Sequence, residues 1–208
     1  MRFSVIIPAY NAEKHIVKGL ESIKAQSFKD YELIVVCDRC KDRTKEIAES
    51  YGAKTLEVDF GRDGLTRNAG LDIAQGEYII FKDDDDYFLH EFVFEEIDKK
   101  LRQENNPDLL CCSFIWGKIM YARPIAKNKS LYPSVWNKIW KKSYIGSHRF
   151  DNVYSISDSH FHDEMMRVPH TQVIWDFPII YYDYLREGSI SHEMKRSVAG
   201  TKAAWRID

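Results

Sequence analysis

No run of apolar residues in these 208 positions approaches the ~20 needed to cross a bilayer, so a membrane-spanning helix is excluded. Cysteine is scarce, with four residues in all: Cys37 and Cys40 flank Asp38-Arg39, and Cys111 adjoins Cys112. Adjacent cysteines on a strand point to opposite faces and lack metal-ligand spacing, which disfavours a zinc site and leaves reduced, cytosolic thiols as the expectation. Charge of one sign is also missing. Thirty basic against 32 acidic residues give a net charge of −2, so nothing draws the whole chain to nucleic acid or anionic lipid. No repeat, low-complexity tract or linker divides it. An apolar strand begins at Phe3, which leaves no room for a signal peptide and makes a cytoplasmic location the expectation.

What is present is an alternation of period. Apolar strands are expected at 3–8, 31–37, 54–58 and 78–81, separated by helices. The first helix carries the stripe Ile16, Leu20 and Ile23 and has Asn11 as its expected cap. The second covers 44–51 with Asp42 before it, and the third covers 65–74 and ends at Gly76. Strands apolar throughout, each joined to the next by a helix, require a parallel sheet covered on both faces, an α/β architecture. Beyond residue 89 the pattern loosens: a helix to about 103, a strand at 109–114, and strands at 173–175 and 179–184.

The chemistry concentrates where the fourth strand ends, in Asp83-Asp84-Asp85-Asp86. Ligands of parallel sheets bind at the carboxyl ends of strands, and Asp38 closes the second strand in the same way. Four neighbouring carboxylates raise one another's pKa unless positive charge sits among them. A hard cation, Mn²⁺ or Mg²⁺, shared with a diphosphate would relieve that cost. The plainer alternative is a solvated acidic turn capping the next helix.

Several stretches resemble family 2 glycosyltransferases: Ser4-Val5-Ile6-Ile7-Pro8-Ala9-Tyr10-Asn11, the run from Gln26 to Val36, Arg67-Asn68-Ala69-Gly70, and Gly76 to Phe81 ahead of the aspartates. Trp136-Asn137-Lys138-Ile139-Trp140, His162-Asp163 and the run from Tyr182 to Ser191 extend the likeness to bacterial members that build capsule, exopolysaccharide and lipopolysaccharide. The resemblance implies a GT-A, Rossmann-like fold with a mostly parallel sheet and helices on both faces. It implies one domain over 1–208, with a nucleotide-sugar half at 1–104 and an acceptor half at 105–208. The implied reaction is an inverting, metal-dependent transfer of sugar from a nucleoside-diphosphate donor, uridine being the expected base, to a glycan or lipid-linked glycan.

On that pattern Asp38 meets the nucleotide base, with Pro8 and Tyr10 lining the pocket. Asp85 meets Mn²⁺ or Mg²⁺, and Asp83 or Asp84 the ribose. Arg62 and Arg67 are both placed for the nucleotide or its phosphates, and Asp163 is the acceptor-activating base, with Glu164 beside it. The chain departs from the pattern at Cys37, Arg39 and His162, and it is short for the family. Arg186 is a further phosphate candidate, because guanidinium pairs bidentately with phosphate. His192 is read as solvent-exposed, and Asp163 also suits a helix N-cap.

The aromatic and basic section around Trp136, Lys138, Trp140, Lys141 and Lys142 has three readings. It is a wall for stacking sugars, a holder of nucleic acid, or a buried helix face spaced by Trp136, Ile139 and Trp140. Transfer onto modified bases in nucleic acid, or non-catalytic binding of a nucleotide sugar, are accordingly the alternative functions. Contact with a membrane surface is compatible with the composition.

Overall fold

The computed structural model describes residues 1–116, 120–122, 131–153 and 156–182. Its first half is a run of βα units: β1 (Phe3–Ala9), α1 (Ile16–Lys24), β2 (Tyr31–Asp38), α2 (Thr44–Ser50), β3 (Lys54–Val58), α3 (Asp63–Ile73) and β4 (Tyr78–Phe81). A two-residue strand, β5 (Tyr87–Phe88), precedes α4 (Val93–Gln103). Then follow β6 (Leu109–Trp116), β7 (Met120–Ala122), β8 (Lys138–Lys141), α5 (Lys142–Ile145), α6 (Ser157–Met165) and β9 (Gln172–Tyr182).

One sheet runs β3-β2-β1-β4-β8-β6-β9-β5, with β7 hydrogen-bonded to β6 outside that path. The neighbours β3, β2, β1 and β4 are all parallel. Antiparallel β8 then joins β4 to β6, and β9 lies parallel to β6. Alternation along the strands divides the core into two layers. Phe3, Val5, Ile7, Val35 and Ile80 pack with Leu20 of α1 and with Phe94 and Ile97 of α4. Ile6, Val36, Ile79 and Phe81 pack on the other side with Leu71 of α3, Ile145 of α5 and Phe161 of α6. The helices therefore cover both faces, as the apolar strands require.

Four local expectations change. The segment around Trp136–Trp140 is an extended strand in its second part: Ile139 faces one core layer and Trp140 the other, the period of a strand. Pairing with β4 on one side and β6 on the other outweighs the helical spacing, since tertiary context overrides local propensity. The two strands expected near 173 and 179 are one strand, because Pro178 sits at a bulge where the β6–β9 register jumps from Cys112↔Trp175 to Ser113↔Pro178.

Asn11 does not cap α1. It takes a left-handed conformation with φ of 46°, and its Oδ1 accepts from the Lys41 N–H. The helix expected from residue 89 begins at Val93, and residues 87 and 88 before it pair with β9. Asp42 does serve the start of α2, accepting from the Thr44 N–H at 3.0 Å.

Candidate functional site

Because β2, β1 and β4 are parallel neighbours, Asp38, Tyr10 and Asp83 emerge side by side at one edge of the sheet. Tyr10 is 64% exposed beside half-buried Pro8, which gives the edge an open aromatic face. Asp38 is buried, and its carboxylate is occupied by the protein itself. Oδ1 accepts from the Phe60 and Gly61 N–H groups at 2.9 and 3.0 Å, and Oδ2 from the Arg62 N–H at 3.1 Å and the Thr66 hydroxyl at 2.9 Å. Asp38 thus ties the 60–62 loop to the start of α3. The Arg62 guanidinium donates to the Gly61 carbonyl in that loop.

Arg67 is only 4% exposed and lies among three carboxylates. Its guanidinium reaches Asp63 Oδ2 and Asp83 Oδ1 at 2.7 Å each, and Asp158 Oδ1 at 3.2 Å. Burial works against its charge, but Asp158, Asp83 and Asp63 outweigh that and hold its pKa above the ordinary arginine value. The expectation placed Arg67 toward the nucleotide or its phosphates; in the fold its guanidinium pairs with these aspartates. Gly64 makes the arrangement possible. A Cβ there would sit 2.9 Å from Ser157 Cβ, so only glycine lets α3 approach the first turn of α6, where Ser157 donates to Asp63 and Asp158 faces Arg67.

Two of these carboxyls are pushed toward neutrality. Asp83 rises to about 7, chiefly because it is set deep, with Arg67 opposing and Asp158, Asp85 and Asp84 adding; its side chain keeps 27% exposure on one edge. Asp158 is likewise raised by burial, against the pull of Arg67, and Asp63 pushes in the same direction. The Val135 N–H, donating to Oδ2 at 3.4 Å, and Lys138 act downward. With 23% of its side chain open to solvent, Asp158 is a carboxylate of raised basicity at an accessible edge.

Basic side chains of the protein itself line the acidic turn. Asp84 Oδ1 lies 3.2 Å from His15 Nε2. Lys82 is wholly buried against Gly19, and its ammonium donates to the Asp83 carbonyl at 2.9 Å. Burial lowers the Lys82 pKa, while Asp86, first among the carboxylates, works to keep the charge. Lys82 and Arg67 therefore set positive charge among the four carboxylates. Among the described residues no group of three His, Cys, Asp or Glu side chains is disposed to hold a metal alone. Asp85 sits half-buried in the turn.

Asp163 lies five residues beyond Asp158 on α6, about 140° round the helix. It is 63% exposed, and its recorded partner is His162 Nδ1 at 3.2 Å. It stands inside the last turn and is not an N-cap. Glu164 is exposed too, near His148. Arg186 and His192 fall outside the described residues. Asp158, Asp63, Ser157 and Lys82 were missed by the sequence reading. The available signal for Asp158 was its place in the first turn of a helix, where carboxylates gather. Trp136, Trp140 and Lys138 are buried and offer no surface to sugars or nucleic acid, whereas Lys141 and Lys142 are half-buried. The four cysteines are free thiols. Two clefts of about 320 and 420 Å³ open near the amino ends of β2 and β4, away from this edge.

Residues 4–174 match the sequence model of the family described as Glycosyl transferase family 2. The chain belongs to glycosyl transferase family 2. This family 2 chain is 42% identical over 95 residues to the poly(ribitol-phosphate) beta-N-acetylglucosaminyltransferase TarS of Staphylococcus aureus strain Mu50, a stretch covering 42% of the chain and 17% of TarS. The crystal structure of S. aureus TarS 1-349 in complex with UDP-GlcNAc superposes with a TM-score of 0.79 at 25% identity, over 92% of this chain and 60% of that one. The mannosyltransferase PcManGT of Pyrobaculum calidifontis, in complex with GDP-Man and Mn²⁺, shares the fold at 17% identity, with a TM-score of 0.75 over 94% of this chain and 61% of that one. The family 2 chain thus spans less than two thirds of these relatives, and it has their GT-A fold. Among the described residues no helix is long and apolar enough to cross a membrane.

Proposed function

We propose that this chain is an inverting glycosyltransferase that moves a sugar from a uridine-diphosphate-linked donor to a glycan or lipid-linked glycan, on the cytoplasmic side. The observation that carries the reading is the buried Arg67 ringed by Asp63, Asp83 and Asp158 at the carboxyl edge of a family 2 sheet. The TarS complex holds UDP-GlcNAc on the same fold at 25% identity, which supports a UDP-sugar donor.

The donor enters over Tyr10 and Pro8, beside the loop that Asp38 organises. The residues fit a divalent ion. The turn offers only hard oxygen donors and too few for a full cage, the usual situation where diphosphate oxygens and water complete the shell around Mg²⁺ or Mn²⁺. Asp85 would hold it, with Asp83 or Asp84 toward the ribose, and the bound ion supplies positive charge against the departing diphosphate.

The acceptor hydroxyl is a weak nucleophile until its proton is taken. Asp158 suits that task better than Asp163, because its raised pKa and its contact with the Arg67 group join it to the donor edge. As the carboxylate takes the proton to become a neutral carboxyl, the electron pair freed on the acceptor oxygen forms the bond to the anomeric carbon, the bond from that carbon to the diphosphate breaks, and the negative charge leaves with the diphosphate, while Arg67 holds the carboxyl in place. One base and one in-line attack give inversion, without the carboxylate pair of a retaining hydrolase. The first half of the chain then serves the donor, and the second half brings the base and the acceptor.

Turnover of UDP-GlcNAc with and without Mn²⁺ tests the proposal. Asp158→Asn is expected to lose about 10² to 10⁴ in rate while still binding UDP, and Asp163→Asn to stay near wild type. The reverse ranking returns the role to Asp163. Absence of any nucleoside diphosphate release by the wild-type protein favours a non-catalytic binding module.

A further inference from the structure

A second buried cation, within electrostatic reach of Asp158, enters from β8. The Lys138 side chain is wholly enclosed, and its ammonium donates to the carbonyls of Tyr132 and Ser134 at 2.5 Å each and to Asn137 Oδ1 at 3.0 Å. All three acceptors belong to the short segment leading into β8. That segment is further knotted by Ser134 donating to Asn137 Oδ1 and by Asn137 donating to the Cys112 carbonyl of β6. Its Val135 N–H is the donor to Asp158 Oδ2, and the Val135 carbonyl accepts from the Trp140 indole. Burying an ammonium in a protein interior is costly, and here three fixed oxygens offset it.

We propose that Lys138 is a positioning residue for the general base: it fastens the 132–135 turn so that the Val135 N–H stays aimed at Asp158, and it sets a positive charge within reach of that carboxylate. The inference rests on the reading of Asp158 as the base. The titratable groups facing Lys138 are Cys111 and Cys112 of β6 and Asp158 and His162 of α6. Those facing Asp158 are Arg67 and Asp63 of α3, Asp83 beyond β4, and Lys138 itself. Both cysteines are pushed upward by burial, Cys111 to about 11, so neither ionises near neutrality. Burial also brings Lys138 down to about 8, within the range where an activity profile can see it lose its proton.

The experiment is the pH dependence of kcat for UDP-GlcNAc turnover, with UDP affinity measured by calorimetry at each pH. In the wild-type protein kcat is expected to fall above pH about 8 while UDP affinity stays level. Lys138→Arg carries a cation that does not titrate, and its alkaline fall is expected at least one pH unit higher. Lys138→Met is expected to lose about tenfold in kcat with little change in KM for the donor, and to move its acid limb upward, because a positive neighbour no longer favours the ionised carboxyl.

An alkaline limb that does not move in Lys138→Arg overturns the proposal, as does a Lys138→Met protein of wild-type kcat and profile. Should neither variant fold, the wild-type profile decides: no limb between pH 7 and 9 defeats it. Asp158→Asn separates the two layers. Full turnover in that variant removes the base itself, whereas an inactive Asp158→Asn beside an unmoved limb in Lys138→Arg removes Lys138 alone.

Discussion

Asp158 interacts with two buried cations that have opposite company. Arg67 faces three carboxylates, and Lys138 faces two carbonyls and an amide oxygen. Desolvation bears on both. In the first case fixed negative charge overrides it, and the guanidinium stays charged at any pH the fold survives. In the second the hydrogen-bond acceptors are neutral, the pull of Asp158 is weaker than burial, and the pKa falls to about 8. Burial alone therefore does not decide whether an interior cation is permanent or titratable; the formal charge of its acceptors does. For the proposed base, Arg67 is then a fixed anchor and Lys138 a support that weakens with rising pH.

The harshest way to break the contrast is Arg67→Met. It strands Asp63, Asp83 and Asp158 together, and a loss of about 3–5 kcal/mol is expected in denaturant unfolding at neutral pH. Part of that loss should return as the pH is lowered and the carboxyls protonate.

A milder test uses Lys138 and linkage. Its folded pKa of about 8 lies below the unfolded value of ~10.4, so between those values the unfolded chain binds more protons and stability rises with pH. The stability of the wild-type protein relative to Lys138→Met should therefore improve from pH 8 toward 10, the window in which kcat is expected to decline. A flat difference would mean that the ammonium is not desolvated as its contacts imply.

The smallest effect is expected at the surface. Arg43 pairs with Glu46 at 3.4 Å in full solvent, and Arg43→Ala should change stability by less than about 0.5 kcal/mol, which calibrates what a cation contributes when it is not buried.

The first half of the fold was legible because each of its elements states its own period. The strands at 54–58 and 78–81 match β3 and β4 residue for residue, and the stripe Ile16, Leu20 and Ile23 is the buried face of α1. The acidic turn was legible as a place, since it follows a strand; its neutralisation was not. Whether Lys82 points inward against Gly19 depends on how closely α1 approaches, which no local pattern records. Asp158 was hidden for the same reason: its neighbours Arg67 and Val135 are 91 and 23 positions away in the chain. The strand through Trp140 was hidden because residues spaced three and four apart fit a helix face until two flanking strands claim the segment.

The four donors gathered by Asp38 carry one last consequence. A carboxylate accepts about four hydrogen bonds, and this one is full before any nucleotide arrives. On the proposed reading, discrimination among bases at this edge would rest on main-chain shape between residues 60 and 62, and a swap at position 38 would erase the reader together with the text. An engineer seeking a different donor would have to graft the loop whole.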